Sequence, residues 1–136
     1  MSEGYLLDAS AVLALLGNEP GSDLVVSLLP DSTITALNLA EVVKKLRERG
    51  VPADEVAAIV SDIQIPIEPG PGDEEQALEL GELAAAGRAF GLSMGDSVCL
   101  KVAEWSGRTA VTTERRWAEA APRASQRYLK FSDQPN

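Results

Sequence analysis

Short apolar or β-branched runs alternate along this chain with longer stretches whose apolar residues recur at helical spacing. Gly4-Tyr5-Leu6-Leu7 is an extended apolar run ending at Asp8, and Ala9 to Leu16 has helical composition. Gly17-Asn18-Glu19-Pro20-Gly21 interrupts the pattern, and Ser22 opens a second helix to about Leu29. Beyond Pro30-Asp31, Ser32-Thr33-Ile34-Thr35 reads as a strand. Leu37 through Arg49 predicts a helix with Ala40, Val43 and Leu46 on one face, stopped by Gly50, and Pro52 begins another to about Ile63. Ile65-Pro66-Ile67-Glu68 predicts a strand that its proline assigns to an edge or a distorted ladder. The loop Pro69-Gly70-Pro71-Gly72 is too short to link two domains, and Asp73 with Gln76 predicts the capped start of a helix that Gly87 ends. Ser93 to about Trp105 predicts a further helix, Ala110-Val111-Thr112 a strand, Trp117 to Ala121 a short helix, and Tyr128-Leu129-Lys130-Phe131 a last strand. Strands separated by helices, with no hairpin signal, imply parallel βαβ units. The expected fold is α/β: one domain over residues 1–136, a three-layer α/β/α sandwich with a mostly parallel central sheet.

Composition narrows the chemistry more than the fold. A chain of 136 residues, 45% hydrophobic and 24% charged, buries enough surface to fold without a staple. It contains no histidine, which excludes Ser-His-Asp hydrolases, histidine-based ribonucleases and HExxH zinc enzymes. The single cysteine, Cys99, forms neither an internal disulfide nor a thiolate zinc cluster, and its place among Val98, Val102 and Ala103 predicts a packing role. Carboxylates, hydroxyls and the hard metals they bind remain. No apolar run is long enough to span a membrane. Met1-Ser2-Glu3-Gly4 lacks the basic start and apolar core of a signal peptide. With one thiol, this makes the cytoplasm the expected location.

The formal charge of −9 argues against nucleic acid until its distribution is read. Gly50 through Gly87 contains no Lys or Arg. The bases gather instead at Lys44, Lys45, Arg47 and Arg49 and at Arg108, Arg115, Arg116, Arg123, Arg127 and Lys130. One locally basic face and a set of ordinary solvated helix faces fit this distribution equally.

Four acids stand where helices begin or strands end. Asp8 ends a strand, Glu41 is placed in the first turn after Thr35, Asp96 in the first turn after Ser93, and Glu114 just after Ala110-Val111-Thr112. In a parallel sheet the carboxyl ends of the strands share one edge, where ligand sites form. Each acid also has a plain capping use: Asp8 as an N-cap, Asn38–Glu41 and Ser93–Asp96 at capping-box spacing, Glu114 as a charge at a helix start. Taken together, four carboxylates on one edge repel one another unless a cation neutralises them. Magnesium or manganese takes such oxygen ligands, keeps room for phosphate, and lowers the pKa of its bound water.

Leu6-Leu7-Asp8-Ala9-Ser10-Ala11, Leu37-Asn38-Leu39-Ala40-Glu41-Val42, Gly91-Leu92-Ser93-Met94-Gly95-Asp96 and Val111-Thr112-Thr113-Glu114-Arg115-Arg116-Trp117 resemble the PIN-domain ribonucleases. The resemblance is nearest to the VapC-type toxins of bacterial toxin–antitoxin modules and runs in order from about Tyr5 to Phe131. It implies a PIN-like fold and a metal-dependent RNA endonuclease, usually dimeric. The acids Asp8, Glu41, Asp96 and Glu114 would be its catalytic and metal-holding residues, with Mg²⁺ or Mn²⁺ as the cofactor. It also implies that Ser10 or Thr112 positions a ligand, water or phosphate, although both hydroxyls have local capping uses. A cognate VapB-type antitoxin would cover the site and an apolar groove made by the early helices. The family usually carries Asp where this chain has Glu114, whose extra methylene would shift that ligand outward, change which metal is preferred, or leave it bound through water.

Arg115 and Arg116, beside Glu114, are candidates for substrate phosphates or for ordinary surface pairing. Trp117 is either an RNA-stacking platform or core, and Trp105 is expected in the core or a subunit interface. The expected function is cleavage of structured RNA, tRNA or rRNA, by metal-activated water, in a soluble homodimeric toxin. The alternatives are a catalytically degenerate PIN domain used for binding or regulation, and a receiver-like module. The latter wants an Asp at the end of its third strand, where this chain has Glu68-Pro69.

Overall fold

A strand with large apolar residues facing both ways needs cover on both sides, and Leu6 and Leu7 impose that demand at the centre of the sheet. Both are fully buried, and their alternation sends them to opposite faces. The computed structural model describes residues 4–114, 117 and 128–130. Its sheet contains β1 (Tyr5–Leu7), β2 (Ser32–Thr35), β3 (Ile67–Glu68), β4 (Thr109–Thr112) and β5 (Tyr128–Lys130). They lie in the order β3-β2-β1-β4-β5 with every neighbouring pair parallel.

On one face, α1 (Ala9–Leu16), α2 (Ser22–Leu28), α3 (Ala36–Glu48) and α4 (Ala53–Ile63) pack over Leu7, Ile34 and Val111. On the other, α5 (Glu74–Gly87) and α6 (Met94–Ser106) pack over Leu6 and Ala110. This is the expected three-layer sandwich. A receiver-like doubly wound sheet runs 2-1-3-4-5, so the observed order excludes that alternative. Among the described residues, no helix is long and apolar enough to cross a membrane.

Local chemistry explains the element ends. Ser93 and Asp96 form the capping box read from the sequence, and Gly107 closes α6 in the left-handed region at φ 74°. Asp73 caps α5 by accepting from the Gln76 amide at 2.8 Å. β3 is shorter than the Ile65–Glu68 strand expected, because Pro66 has no amide to donate; its carbonyl still accepts from the Ile34 amide at 3.0 Å. All four residues of β2 are buried although three are polar. Their hydroxyls are satisfied: Ser32 donates to the Leu28 carbonyl at 2.7 Å, Thr33 to Glu68 at 3.4 Å and Thr35 to Asn38 at 2.7 Å.

The start of α3 corrects the sequence reading. Thr35, not Asn38, is the N-cap, accepting from the Asn38 amide at 3.0 Å, so Glu41 falls in the second turn rather than the first. The strand runs straight into the helix, and Thr35 is the first residue with a capping oxygen that the chain offers there.

Trp117 is fully buried in the cluster formed by α5, α6, Leu6 and Ala110. That decides between its two readings: it is core, not a stacking platform. Trp117→Ala is expected to cost about 3–5 kcal/mol, read from the midpoint of denaturant unfolding; a loss well under 1 kcal/mol would contradict this packing. The rest of the short helix expected at Trp117–Ala121, and Phe131 of the last strand, lie outside the described residues. Trp105 is partly buried against the same cluster, its indole N–H donating to Glu79 at 3.3 Å. Cys99 is buried packing, as expected, its thiol donating to the Leu6 carbonyl at 3.9 Å and its pKa pushed up by burial.

Candidate active site

From β1 the chain builds β2 and β3 on one side, then returns to place β4 and β5 on the other. The carboxyl ends of β1 and β4 therefore flank the switch point of the sheet, where a crevice opens in folds of this kind. A cleft of about 320 Å³ lies there, lined by Asp8, Ala9, Ser10, Leu13, Glu41, Lys44, Lys45, Ser93, Asp96 and Glu114. All four acids singled out from the sequence line it.

Asp8 follows β1 directly, and its amide extends the ladder by donating to the Val111 carbonyl at 3.1 Å. It caps α1 as well: Oδ1 accepts from the Ala11 amide at 2.9 Å and from the Ser10 hydroxyl at 2.7 Å. Only 3% of it is exposed. Burial raises its pKa to about 7; hydrogen bonds from Thr112, Ser10 and Ala11 oppose the rise, and the Asp96 charge adds slightly to it. The two hydroxyls are locked to the same corner. Ser10 Oγ accepts from the Thr113 amide at 3.0 Å and meets Thr112 Oγ1 at 3.2 Å, and Thr112 accepts from the Glu114 amide at 2.9 Å. Ser10 and Thr112 thus tie the end of β4 to Asp8.

Glu41, one turn further along α3 than expected, accepts from Asn38 Nδ2 at 2.8 Å. Its carboxylate lies directly on Gly95, where an added Cβ would overlap it. Asp96 accepts from the Ser93 amide at 2.9 Å while its own amide donates to Ser93 at 3.1 Å. The capping uses of Asp8 and Asp96 are therefore real, and both residues also face the cleft. Two readings that the sequence left as rivals coexist.

Among the described residues, no three acidic side chains converge into a finished metal cage; the carboxylates stand around the walls of the cleft. The donor set is nonetheless chemically uniform. Carboxylate oxygens come from four different elements, the chain has no imidazole, and the one thiol is in the core. That set fits a hard divalent cation and suits zinc or copper poorly.

The basic residues divide. Lys44 and Lys45 line the cleft, Lys44 pairing with Glu48 at 2.7 Å. Arg47 donates to the Val51 carbonyl at 2.9 Å. Arg108 precedes β4 at the opposite edge of the sheet and pairs with Glu68 at 2.7 Å. Arg115, Arg116, Arg123 and Arg127 lie outside the described residues. Two residues that the sequence reading did not credit with a role in the site are Asn38, taken there only as a cap, and Gly95.

The family model of the PIN domain matches residues 5–122. The chain belongs to the PIN-domain family. PIN domains are generally nucleases, hydrolases acting on nucleic acid, and in this PIN domain the acids gather at the switch point of the sheet. Solved structures with the same fold include VapBC-1 from nontypeable Haemophilus influenzae, 15% identical, with a TM-score of 0.69 over 95% of this chain and 98% of that one. PAE2754 from Pyrobaculum aerophilum is 22% identical, with a TM-score of 0.60 over 97% and 93%. FitAcB from Neisseria gonorrhoeae is 17% identical, with a TM-score of 0.58 over 87% and 93%. None of the curated proteins compared with this PIN domain matches it.

Proposed function

We propose that this single PIN domain is the toxin of a toxin–antitoxin module of the VapC type, a cytoplasmic endoribonuclease that needs Mg²⁺ or Mn²⁺ and cleaves structured RNA. The observation that carries the reading is the cleft at the switch point, lined by Asp8, Glu41, Asp96 and Glu114 from four separate elements. These four are the proposed metal-holding and catalytic residues. A bound divalent cation supplies neutralisation of the carboxylates, activation of water and stabilisation of charge at phosphorus.

The chain's own groups do the rest. Asp8, held by Ser10, Thr112 and the Ala11 amide, presents a carboxylate of fixed orientation at the end of β1. Lys44 and Lys45 on the cleft wall attract the phosphates of a polyanion toward an otherwise acidic lining, a role Arg115 and Arg116 would share. A carboxylate accepts the proton of the attacking water. Glu114 lines the same cleft as the other three acids, so its extra methylene is no argument for a degenerate site.

An antitoxin partner and a homodimer belong to the same proposal. Apolar surface on the early helices, at Val26 of α2 and Leu37 of α3, suits such contacts. The fold shared with VapBC-1 and FitAcB supports the antitoxin part.

Hydrolysis adds the hydroxyl of water to phosphorus and its proton to the departing oxygen. The products are therefore expected to end in linear monophosphates, and a 2′-deoxy nucleotide at the scissile position is expected to leave cleavage intact. End-group analysis of the fragments checks this. Ends carrying 2′,3′-cyclic phosphate would show attack by the RNA's own 2′-hydroxyl and overturn the mechanism.

A further inference from the structure

We propose that Asn38 and Gly95 together form a positioning device that sets where Glu41 meets a divalent cation, an inference that rests on the metal-dependent reading above. Asn38 is 1% exposed, and its whole amide is engaged. Oδ1 accepts from the Thr35 hydroxyl at 2.7 Å. Nδ2 donates to Glu41 Oε1 at 2.8 Å and to the Gly95 carbonyl at 3.1 Å. One side chain thus joins the end of β2, the carboxylate on α3 and the first turn of α6. Gly95 is the residue before Asp96, so the same amide orients one acid and anchors the peptide that carries another.

Gly95 completes the arrangement from the opposite side. A glycine within a helix costs about 1 kcal/mol relative to alanine, and this one is explained by what lies on it: a Cβ there would overlap both carboxylate oxygens of Glu41. Glu41 is pulled by an amide on its own helix and seated on a bare Cα of the next. Neither aspartate nor alanine does both jobs of Asn38. Aspartate would turn acceptors toward the Glu41 carboxylate and the Gly95 carbonyl, and alanine would leave both without their donor.

The test uses the full chain as wild type, Asn38→Ala and Gly95→Ala. Mn²⁺ is titrated calorimetrically without RNA, thermal melts report folding, and kcat and KM for RNA are measured across Mn²⁺ concentrations. Both variants are expected to bind Mn²⁺ roughly 10- to 100-fold more weakly, as partners of metal ligands do when removed. At fixed Mn²⁺, kcat should fall while KM for RNA stays within about twofold, with kcat recovering as Mn²⁺ is raised. A purely structural role would lower the melting temperature and leave the affinity of the folded protein unchanged. Gly95→Ala keeps the test intact if Asn38→Ala fails to fold, because alanine favours the helix. Folded variants with wild-type Mn²⁺ affinity overturn the inference. A wild type that binds no Mn²⁺ overturns the metal-dependent reading itself, and the inference with it.

Discussion

Asp8→Asn is expected to melt at a higher temperature than the wild type at pH 8 in EDTA. The Asp8 carboxyl is buried and its folded-state pKa is raised from 3.8 to about 7. Because the folded value lies above the unfolded one, the folded state holds a proton that the unfolded chain has already released between those two pH values. Stability from this group is therefore greatest below pH about 4 and is lost as pH rises through about 7. At 1.36 kcal/mol per pKa unit the full loss is roughly 4 kcal/mol. Asparagine keeps an acceptor for the Ser10 hydroxyl and the Ala11 amide and carries no charge. The variant should gain roughly 10–15 °C over the wild type at pH 8, with the gap closing toward pH 4. Mn²⁺ should then raise the wild type more than the variant. Equal melting curves at pH 8 in EDTA would contradict a desolvated, unneutralised Asp8. A cleft that destabilises the fold until a cation arrives is the usual trade between stability and function at a working site.

Asp96→Asn separates stability from activity: little effect on the first and a large one on the second. Asparagine still accepts from the Ser93 amide, so the capping box at the start of α6 survives at a cost of at most about 1 kcal/mol. In the proposed mechanism the lost charge removes a metal-holding group. Cleavage should fall by roughly 10³-fold, equivalent to about 4 kcal/mol of transition-state stabilisation. Initial rates on one RNA, with melting curves for both proteins, measure the two quantities together. A folded Asp96→Asn protein with wild-type rates would remove Asp96 from the site.

Much of this was legible in the chain because local chemistry and tertiary structure agree. Gly4 to Leu7 reads as an extended run ending at Asp8, and Ser93 with Asp96 as a helix start, because both signals are local. The four acids were readable as a group because a parallel sheet brings its strand ends to one edge. What escaped is non-local or finely registered. Thr35 and Asn38 both have capping side chains three residues apart, and only the path from β2 into α3 decides that Thr35 takes the cap. Asn38 is then free to reach Gly95, 57 residues away along the chain, a contact no periodicity encodes. The truncation of β3 depends on where Pro66 meets its neighbour strand. The raised pKa of Asp8 follows from burial by elements far apart in sequence, while the acid itself reads as an ordinary N-cap.

If the acidic cleft makes this PIN domain a metal-dependent ribonuclease, cleavage requires both a divalent cation and Asp96. Partner-free wild type and Asp96→Asn are incubated with a mixed tRNA and rRNA pool in Mg²⁺, in Mn²⁺ and in EDTA, and the fragments are resolved. Discrete fragments from the wild type with either metal, absent in EDTA and absent with Asp96→Asn, are the predicted result. Intact RNA in every lane from folded wild type, or fragments that persist in EDTA, would contradict it.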